Sequence, residues 1–574
     1  MVKSLLTGAV NGVEGYLVTA EIDMADGLPC MDLVGNLGHE VKESAERVRV
    51  ALKNIGYAIP PKRVTINLSP AGIKKGGTAF DLPIAIGILA SMGIINLPKE
   101  NDWMAIGELG LDGKIRGVSG ILPILLKAKE RGISKCLLPM DNCREAGFIK
   151  GIEAVPLQDL NELIMIFQNS LESVKNHNKS VGANTDKSIG ANTDRNIEGY
   201  SERNTGVIDE MKIEIDTDAI TPGKTLKREK NEENNKEDNN EINIREDNIV
   251  QTETKTKEKT KLDFSDIIGQ KAAKRAAEIA AAGFHNLLLT GPPGTGKSMI
   301  ATAIAGILPP MEEEEMLETS KIYSVAGLLH EDFPFIRERP YQSPHHTITP
   351  QALVGGGIVP MPGIISLSNH GVLFLDELPE FKRQTLDMLR QPMEEGKIVI
   401  TRKSGSYIYP CNFMLVAAMN PCPCGYYPDR NHCNCGPKEV DRYVHSISGP
   451  LLNRFDLCVH VLRSSYEQMK EKTQEETSES IRKRVVRARE IQKSRNGIGV
   501  YNGRIAVKEM EKICGMTNHA EKIMENYYNT KNLSMRGYHR TLRVARTIAD
   551  LDGAEIIDEK HILEAVSYRG LLDR

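Results

Sequence analysis

No run of 18 consecutive apolar residues occurs in this 574-residue chain, so no membrane-crossing helix is expected. Net charge is nearly absent too. At −4 over the whole chain it names no acidic or basic partner, and any nucleic-acid surface must be local. Cysteine is too sparse for a disulfide framework. Ten in so long a chain, four of them clustered, suit a metal site in a reducing compartment, the cytoplasm by default. A secretory leader is not expected either: Asn11 and Glu14 interrupt the mildly apolar start, no clear cleavage site follows, and a strand and turn are expected there.

What is present divides the chain into four blocks, in line with a length prior of about three or four domains. Residues 1–168 mix strand and helix patterns. Val64 to Leu68 alternates as a half-buried strand does, and Val41, Ala45, Val48, Leu52 and Ile55 form a helix stripe that Gly56 is placed to end. Residues 169–261 change character. A tandem octapeptide, KSVGANTD then KSIGANTD (179–194), precedes charge- and Asn-rich runs with Tyr200 as the one aromatic. Such a segment buries too little surface to offset its ordering entropy, and a disordered linker is expected. Residues 262–464 are compact again, opening with FSDIIG and an alanine-rich helix at 270–283. Residues 465–574 read as helical, with a basic helix at 480–495 that Ser480 could cap and further helices starting near Ser534 and Asp558.

The third block carries the chemistry. Leu287 to Leu289 leads into a glycine turn and then a helix, with Gly291, Gly296, Lys297 and Ser298 matching G-x-x-x-x-G-K-[ST]. Backbone N–H groups from Gly291, Pro293's neighbours Gly294 and Thr295, and the helix start at Gly296 to Met299 would close around phosphates, with Pro292 and Pro293 shaping the turn. Lys297 would reach the β- and γ-phosphates of ATP, and Ser298 would hold Mg²⁺. About 80 residues on, VLFLDE (372–377) is an apolar strand ending in two carboxylates. Asp376 would hold the metal and Glu377 would activate the attacking water. LVAAMN (415–420) is a second such strand, whose terminal Asn420 could bond the γ-phosphate or that water, the role called sensor 1. Arg454 in GPLLNRFD is a candidate arginine finger, supplied in ring ATPases by the neighbouring subunit. Arg536, Arg540 and Arg543 share one face of the helix near 534–551, with Arg536 preferred as sensor 2 and Arg543 next.

Cys422, Cys424, Cys433 and Cys435 read C-x-C-x₈-C-x-C, which suits a structural Zn²⁺ site. His432 could replace one of them, Cys411 lies nearby in sequence, and a merely reduced cysteine-rich turn is the competing reading. Residues 394–412 read as a β-hairpin with its turn at Lys403 to Gly405. A long insert between about Tyr341 and Ser366 holds Gly355-Gly356-Gly357.

Together these motifs resemble the AAA+ ATPases of the magnesium-chelatase and MCM branch. The phrases RPYQSPHHTITPQALVGGG (339–357), PGIISLSNHGVLFLDELPEF (362–381), AAMNPCPCGYY (417–427) and VARTIADL (544–551) look closer still to the YifB/ComM group. GGTAFDLPIAIGILA (76–90) and residues 105–139 resemble the Lon peptidase domain, a ribosomal-S5-like fold. The fold these resemblances imply is multidomain α/β: a Lon-like α+β domain, the linker, an AAA+ P-loop domain and a C-terminal helical lid. Matching the Lon motifs places Thr78 at the nucleophilic serine and Leu122 at the lysine. A hydroxyl with no nearby base is a poor nucleophile, so peptidase activity is not expected. The ComM resemblance implies a hexameric, ATP-driven branch-migration helicase acting on branched or single-stranded DNA. By likeness to MCM helicases the hairpin would enter the ring pore, with Arg402 and Lys403 as phosphate contacts. The runners-up are a metal-insertion ATPase of the magnesium-chelatase kind and a protein-remodelling ATPase.

Overall fold

The computed structural model describes residues 2–98, 102–168, 262–329, 334–403, 405–429, 431–463, 475–570 and 572. The expected linker, 169–261, lies outside the described residues. Two compact units result, the first built on the residues up to 168 and the second on those from 262 onward.

The first unit is a mixed seven-stranded sheet. Its strands are β1 (Lys3–Asn11), β2 (Glu14–Ala25), β3 (Cys30–Val34), β4 (Arg63–Ser69) and β5 (Trp103–Ala105), then, after a short ribbon of β6 (Glu108–Leu109) and β7 (Ile115–Arg116), β8 (Lys135–Pro139) and β9 (Glu153–Leu157). The order is β3-β4-β2-β1-β5-β8-β9. β1 and β2 form the expected strand and turn, reversing at Gly12, where φ is +64°. β4 puts Val64, Ile66 and Leu68 into the core. The helix His39–Asn54 buries Val41, Val48 and Leu52 as its spacing predicts, with Ser44 rather than Ala45 completing the buried stripe, and Gly56 (φ +92°) follows its end. The helix Asp81–Ser91 is buried almost all round. A Cβ on its Gly87 would stand 2.4 Å from Ile22, so glycine is what lets helix and sheet approach.

The second unit holds an all-parallel sheet formed by β10 (Leu287–Thr290), β11 (Tyr341–Gln342), β14 (Val372–Leu375), β17 (Met414–Met419) and β18 (Leu457–His460). Two ribbons stand apart from it, one pairing β12 (Gly355–Gly356) with β13 (Met361–Pro362), the other β15 (Lys397–Arg402) with β16 (Gly405–Pro410). The sheet order is β11-β14-β17-β10-β18. β10, β14 and β17 are buried at every residue, as parallel strands covered on both faces must be. The helix Lys271–Gly283 is alanine-rich for a packing reason. It lies among the P-loop helix Lys297–Ile307, the helix Ser478–Asn496 and the helix Met535–Leu551, and small side chains allow that close approach. One hydrophobic core therefore runs from the sheet through the C-terminal helices.

Helices start near Ser534 and Asp558 as read from sequence, and those two residues prove to be their caps. The basic helix is different. It spans Ser478–Asn496, and its cap is Thr477, whose hydroxyl accepts the N–H of Ser480; Ser480 is not the cap. Nor is it simply a solvated charged face. Arg489 is buried, 3.8 Å above the Tyr501 ring, and donates to the Ala281 carbonyl. Arg495 forks onto Asp550 at 2.6 and 2.8 Å, and buried Arg546 donates to the same carboxylate at 3.1 Å. Asn502 donates to it as well, at 2.7 Å. Replacing Asp550 with Asn would strand a buried guanidinium, so Asp550→Asn should cost about 3–5 kcal/mol of unfolding free energy. Urea denaturation checks this; a loss within error would show that the arginines find other partners.

Candidate functional site

The motifs converge on one edge of the second sheet. In parallel sheets ligands bind beyond the carboxyl ends of the strands, where loops and helix N-termini gather. β10 ends in the P-loop, β14 in Asp376 and Glu377, and β17 in Asn420, and β17 lies between the other two. The loop conformation explains its glycines. Gly294 and Gly296 have φ of +73° and +86°, and a Cβ on Gly291 would stand 2.2 Å from the Val461 carbonyl oxygen. The helix Lys297–Ile307 then points its free N–H groups back into the loop. Thr295 donates to the Pro292 carbonyl at 2.9 Å, and Met299 faces outward, 40% exposed.

Lys297 is buried and donates to the carbonyls of Gly291 and Pro292, both at 2.8 Å, and to Asn420 Oδ1 at 3.1 Å. Burial pulls its ammonium below the ordinary lysine value, against the carboxylates of Asp376 and Glu377. Ser298 donates to Asp376 Oδ2 at 2.6 Å, so the two oxygens expected to share a divalent cation are already adjacent. Glu377 sits at φ +50°, an unusual conformation for a glutamate, and its N–H donates to Asp376 Oδ1 at 2.9 Å. Its carboxylate is 59% exposed and faces His346 Nδ1 at 3.8 Å. Sequence reading missed His346, whose only signal was a His-His pair inside the long insert. Tyr443 is a second omission. Burial pushes its hydroxyl up to about 12, and the charge of Glu380 and the backbone of Asn420 both act on it.

Arg454 and Arg536 are not brought to this edge. Asn286, the residue before β10, donates its side-chain N–H to the Arg454 carbonyl at 2.9 Å. Arg454 thus lies at the amino end of a strand whose other end carries the P-loop, about 13 Å along the chain. Its guanidinium meets Glu394 at 2.5 Å and the carbonyls of Arg390 and Pro450 at 3.1 and 2.6 Å. Burial lowers its pKa, Glu394 opposes that, and the charges of Arg390 and Arg536 add to it, so Arg536 shares this neighbourhood. Arg536 is exposed. The three arginines read as one face behave separately: Arg540 faces Asp456 at 3.8 Å, and Arg543 donates to the Ile505 carbonyl.

The hairpin β15–β16 is present, with Arg402 paired to Gly405 across its end and Arg402 and Lys403 exposed. It is joined to the glycine ribbon of the insert. The Tyr409 hydroxyl, fully buried, donates to the Pro360 carbonyl at 2.6 Å, and a Cβ on Gly356 would stand 3.6 Å from Arg402 Nη2. Gly355, Gly356 and Gly357 all have positive φ, and the turn they open carries Ile358, 95% exposed.

The four clustered cysteines are brought together, all their Sγ atoms lying within 4.8 Å of one another. The Cys422 sulfur is 3.3 Å from that of Cys424 and 3.8 Å from that of Cys433. Edges of roughly 3.8 Å are those of a tetrahedron with Zn–S bonds near 2.3 Å, so the donor set fits zinc. The two other candidate ligands stand elsewhere: His432 bonds Asp429 at 2.8 Å, and Cys411 is buried with its thiol toward the Pro392 carbonyl. The knuckle touches the nucleotide loop, since a Cβ on Gly425 would stand 2.6 Å from Pro293 Cδ. In the first unit Leu122 is fully buried, and Thr78 corrects one expectation: its hydroxyl, read as lacking a nearby base, donates to the Glu108 carboxylate.

A parallel sheet whose carboxyl edge gathers P-loop, paired carboxylates and a polar strand end defines an AAA+ ATPase of the magnesium-chelatase type. The family models agree: "Magnesium chelatase, subunit ChlI" matches residues 263–469, "Subunit ChlI of Mg-chelatase" 20–142, and "Magnesium chelatase, subunit ChlI C-terminal" 475–569. The chain is 37% identical over 567 residues to the competence protein ComM of Haemophilus influenzae, covering 98% of this chain and 96% of that one. It is also 37% identical over 569 residues to YifB of Escherichia coli, with the same coverages. A Lon protease of Syntrophomonas wolfei is 26% identical over 173 residues, 28% of this chain and 21% of its own. The chain belongs to the YifB/ComM family of magnesium-chelatase-like proteins.

Asp456, next to the arginine-finger candidate, supplies a pH test. Burial works against its charge, but His285, Arg540 and the Asn286 N–H outweigh it and hold its carboxyl well below the usual carboxylate range. A depressed folded value stabilises fully above the unfolded value of about 3.9 and is lost as pH falls through the folded one. Asp456→Asn should therefore be clearly destabilising near neutrality, and its gap from wild type should narrow below about pH 4. Unfolding free energies at the two pH values check this; a pH-independent gap would contradict it.

Proposed function

We propose that this chain is one subunit of a ring-forming, ATP-hydrolysing motor acting on branched or single-stranded DNA, a branch-migration helicase serving recombination and natural transformation. The observation that carries the reading is the division of the catalytic set between two ends of one strand. Lys297, Ser298, Asp376, Glu377 and Asn420 gather at the carboxyl end of β10, while Arg454 and exposed Arg536 share the amino end. A site needing both halves is completed by a second copy, which a closed ring provides; six copies follow from the family resemblance.

ATP would supply the transferred phosphoryl group and Mg²⁺ its charge neutralisation. The P-loop backbone from Gly291 to Met299 binds phosphate, Ser298 and Asp376 hold the cation, Glu377 takes the proton from the attacking water, and Asn420 orients it. Arg454, once released from Glu394, and Arg536 complete the neighbour's site. Arg402 and Lys403 on the hairpin would touch the DNA backbone without reading sequence. That the Haemophilus relative is a competence protein supports DNA as what is moved. The magnesium-chelatase descriptions of the family models favour metal insertion as the second reading. No helix among the described residues is long and apolar enough to cross a membrane, and a cytoplasmic site of action fits the free cysteines.

ATPase rates with and without a forked duplex test the proposal. DNA should raise turnover, and the double change Arg402→Ala/Lys403→Ala should remove the rise. No response to any DNA, with stimulation by an unfolded protein instead, would overturn it. Glu377→Gln should keep ATP affinity while stopping turnover, and Lys297→Ala should weaken binding itself; normal turnover or unchanged affinity, respectively, would refute those roles.

Cys422, Cys424, Cys433 and Cys435 would hold one structural Zn²⁺ with no open position for catalysis. Native protein should release about one zinc per chain on thiol modification, read with a chromogenic chelator, and Cys424→Ser/Cys435→Ser should release far less. Zinc-free native protein would leave the cluster a reduced turn.

A further inference from the structure

The insert between β11 and β14 reaches the catalytic edge as well as the exposed ribbon. It is anchored at its start. The Tyr341 ring stacks on Phe374 of β14 at 6.3 Å between centroids, and its hydroxyl lies 3.3 Å from Thr302 on the P-loop helix. Four residues past β11, His346 stands over the end of β14, its ring edge-on to Phe381 at 6.4 Å and packed against His345 at 4.0 Å. His345 is tied in turn to the Thr347 hydroxyl at 2.9 Å. This ring, 32% exposed, is therefore held by its neighbours, and its Nδ1 is 3.8 Å from Glu377 Oε2.

Glu377 needs such a neighbour. Its backbone is fixed by φ +50° and by the N–H bond to Asp376, but its carboxylate is more than half exposed. A freely rotating carboxylate spends little time aligned with one water, and misplacement by about 1 Å costs on the order of a hundredfold in rate. We infer that His346 is a positioning residue for Glu377, holding the water-activating carboxylate in line from the insert. It acts through the Glu377 carboxylate it faces, and the inference rests on the role proposed above for Glu377.

The test is steady-state ATP hydrolysis by full-length His346→Ala and His346→Gln, with Glu377→Gln as reference and thermal unfolding to confirm folding. His346→Ala should lower kcat by on the order of tenfold to a hundredfold while KM for ATP stays within about twofold. His346→Gln, whose amide can still donate to a carboxylate, should recover a large part of the loss. A kcat for His346→Ala equal to or above wild type would overturn the inference. So would a loss carried by KM, or one that glutamine does not relieve. If Glu377→Gln itself turns over normally, the Glu377 reading fails; if it is dead while His346→Ala is normal, only the His346 inference fails.

Discussion

The buried ammonium of Lys297 is the contact on which the catalytic edge depends. Burying a charge is costly unless its hydrogen bonds are made, and Lys297 makes three: two to its own loop and one to Asn420. Those bonds tie the end of β10 to the end of β17, so the loop and the Asn420 strand share one geometry. The glycines serve the same end. Gly291 passes so close to Val461 that any side chain would collide, and Gly425 brings the cysteine knuckle against Pro293. The loop is thus braced by the end of β18 on one side and by the cysteine cluster on another.

The opposite end of β10 is braced differently. Asn286 bonds the Arg454 carbonyl with its side-chain N–H and accepts the Leu415 N–H at 2.9 Å, while its own N–H goes to Asp456 at 3.0 Å. One amide residue therefore fixes the register of β10 against β17 and against the turn that carries Arg454. A rigid sheet separates the two halves of the proposed site by a constant distance. A ring ATPase needs this if one subunit's arginine is to find its neighbour's phosphate repeatably.

Much of this was legible in the sequence because phosphate chemistry is local. A cradle of N–H groups demands glycines at fixed spacing, and the strand ends at Glu377 and Asn420 follow from apolar runs closed by a polar residue. The helix starts near Ser534 and Asp558 were legible because they too are local patterns. What was not legible arises from partners far apart in the chain. Arg489 looks like one more exposed cation of a basic helix until Tyr501 and the Ala281 carbonyl are seen to receive it. Arg540 and Arg543 share a helical face with Arg536, yet Asp456 and Ile505 take them out of solvent. His346 has no pattern of its own. The cysteine spacing announced a cluster, but only the fold removes His432 and Cys411 from it.

The hydroxyl of Tyr409 has a mechanical consequence. By bonding the Pro360 carbonyl from near the base of the hairpin, it ties β16 to the ribbon that carries Ile358, so charged tip and apolar turn share one mount instead of standing as two independent fingers. A cation and an apolar edge are thereby held at a fixed offset, and whatever reaches one meets the other.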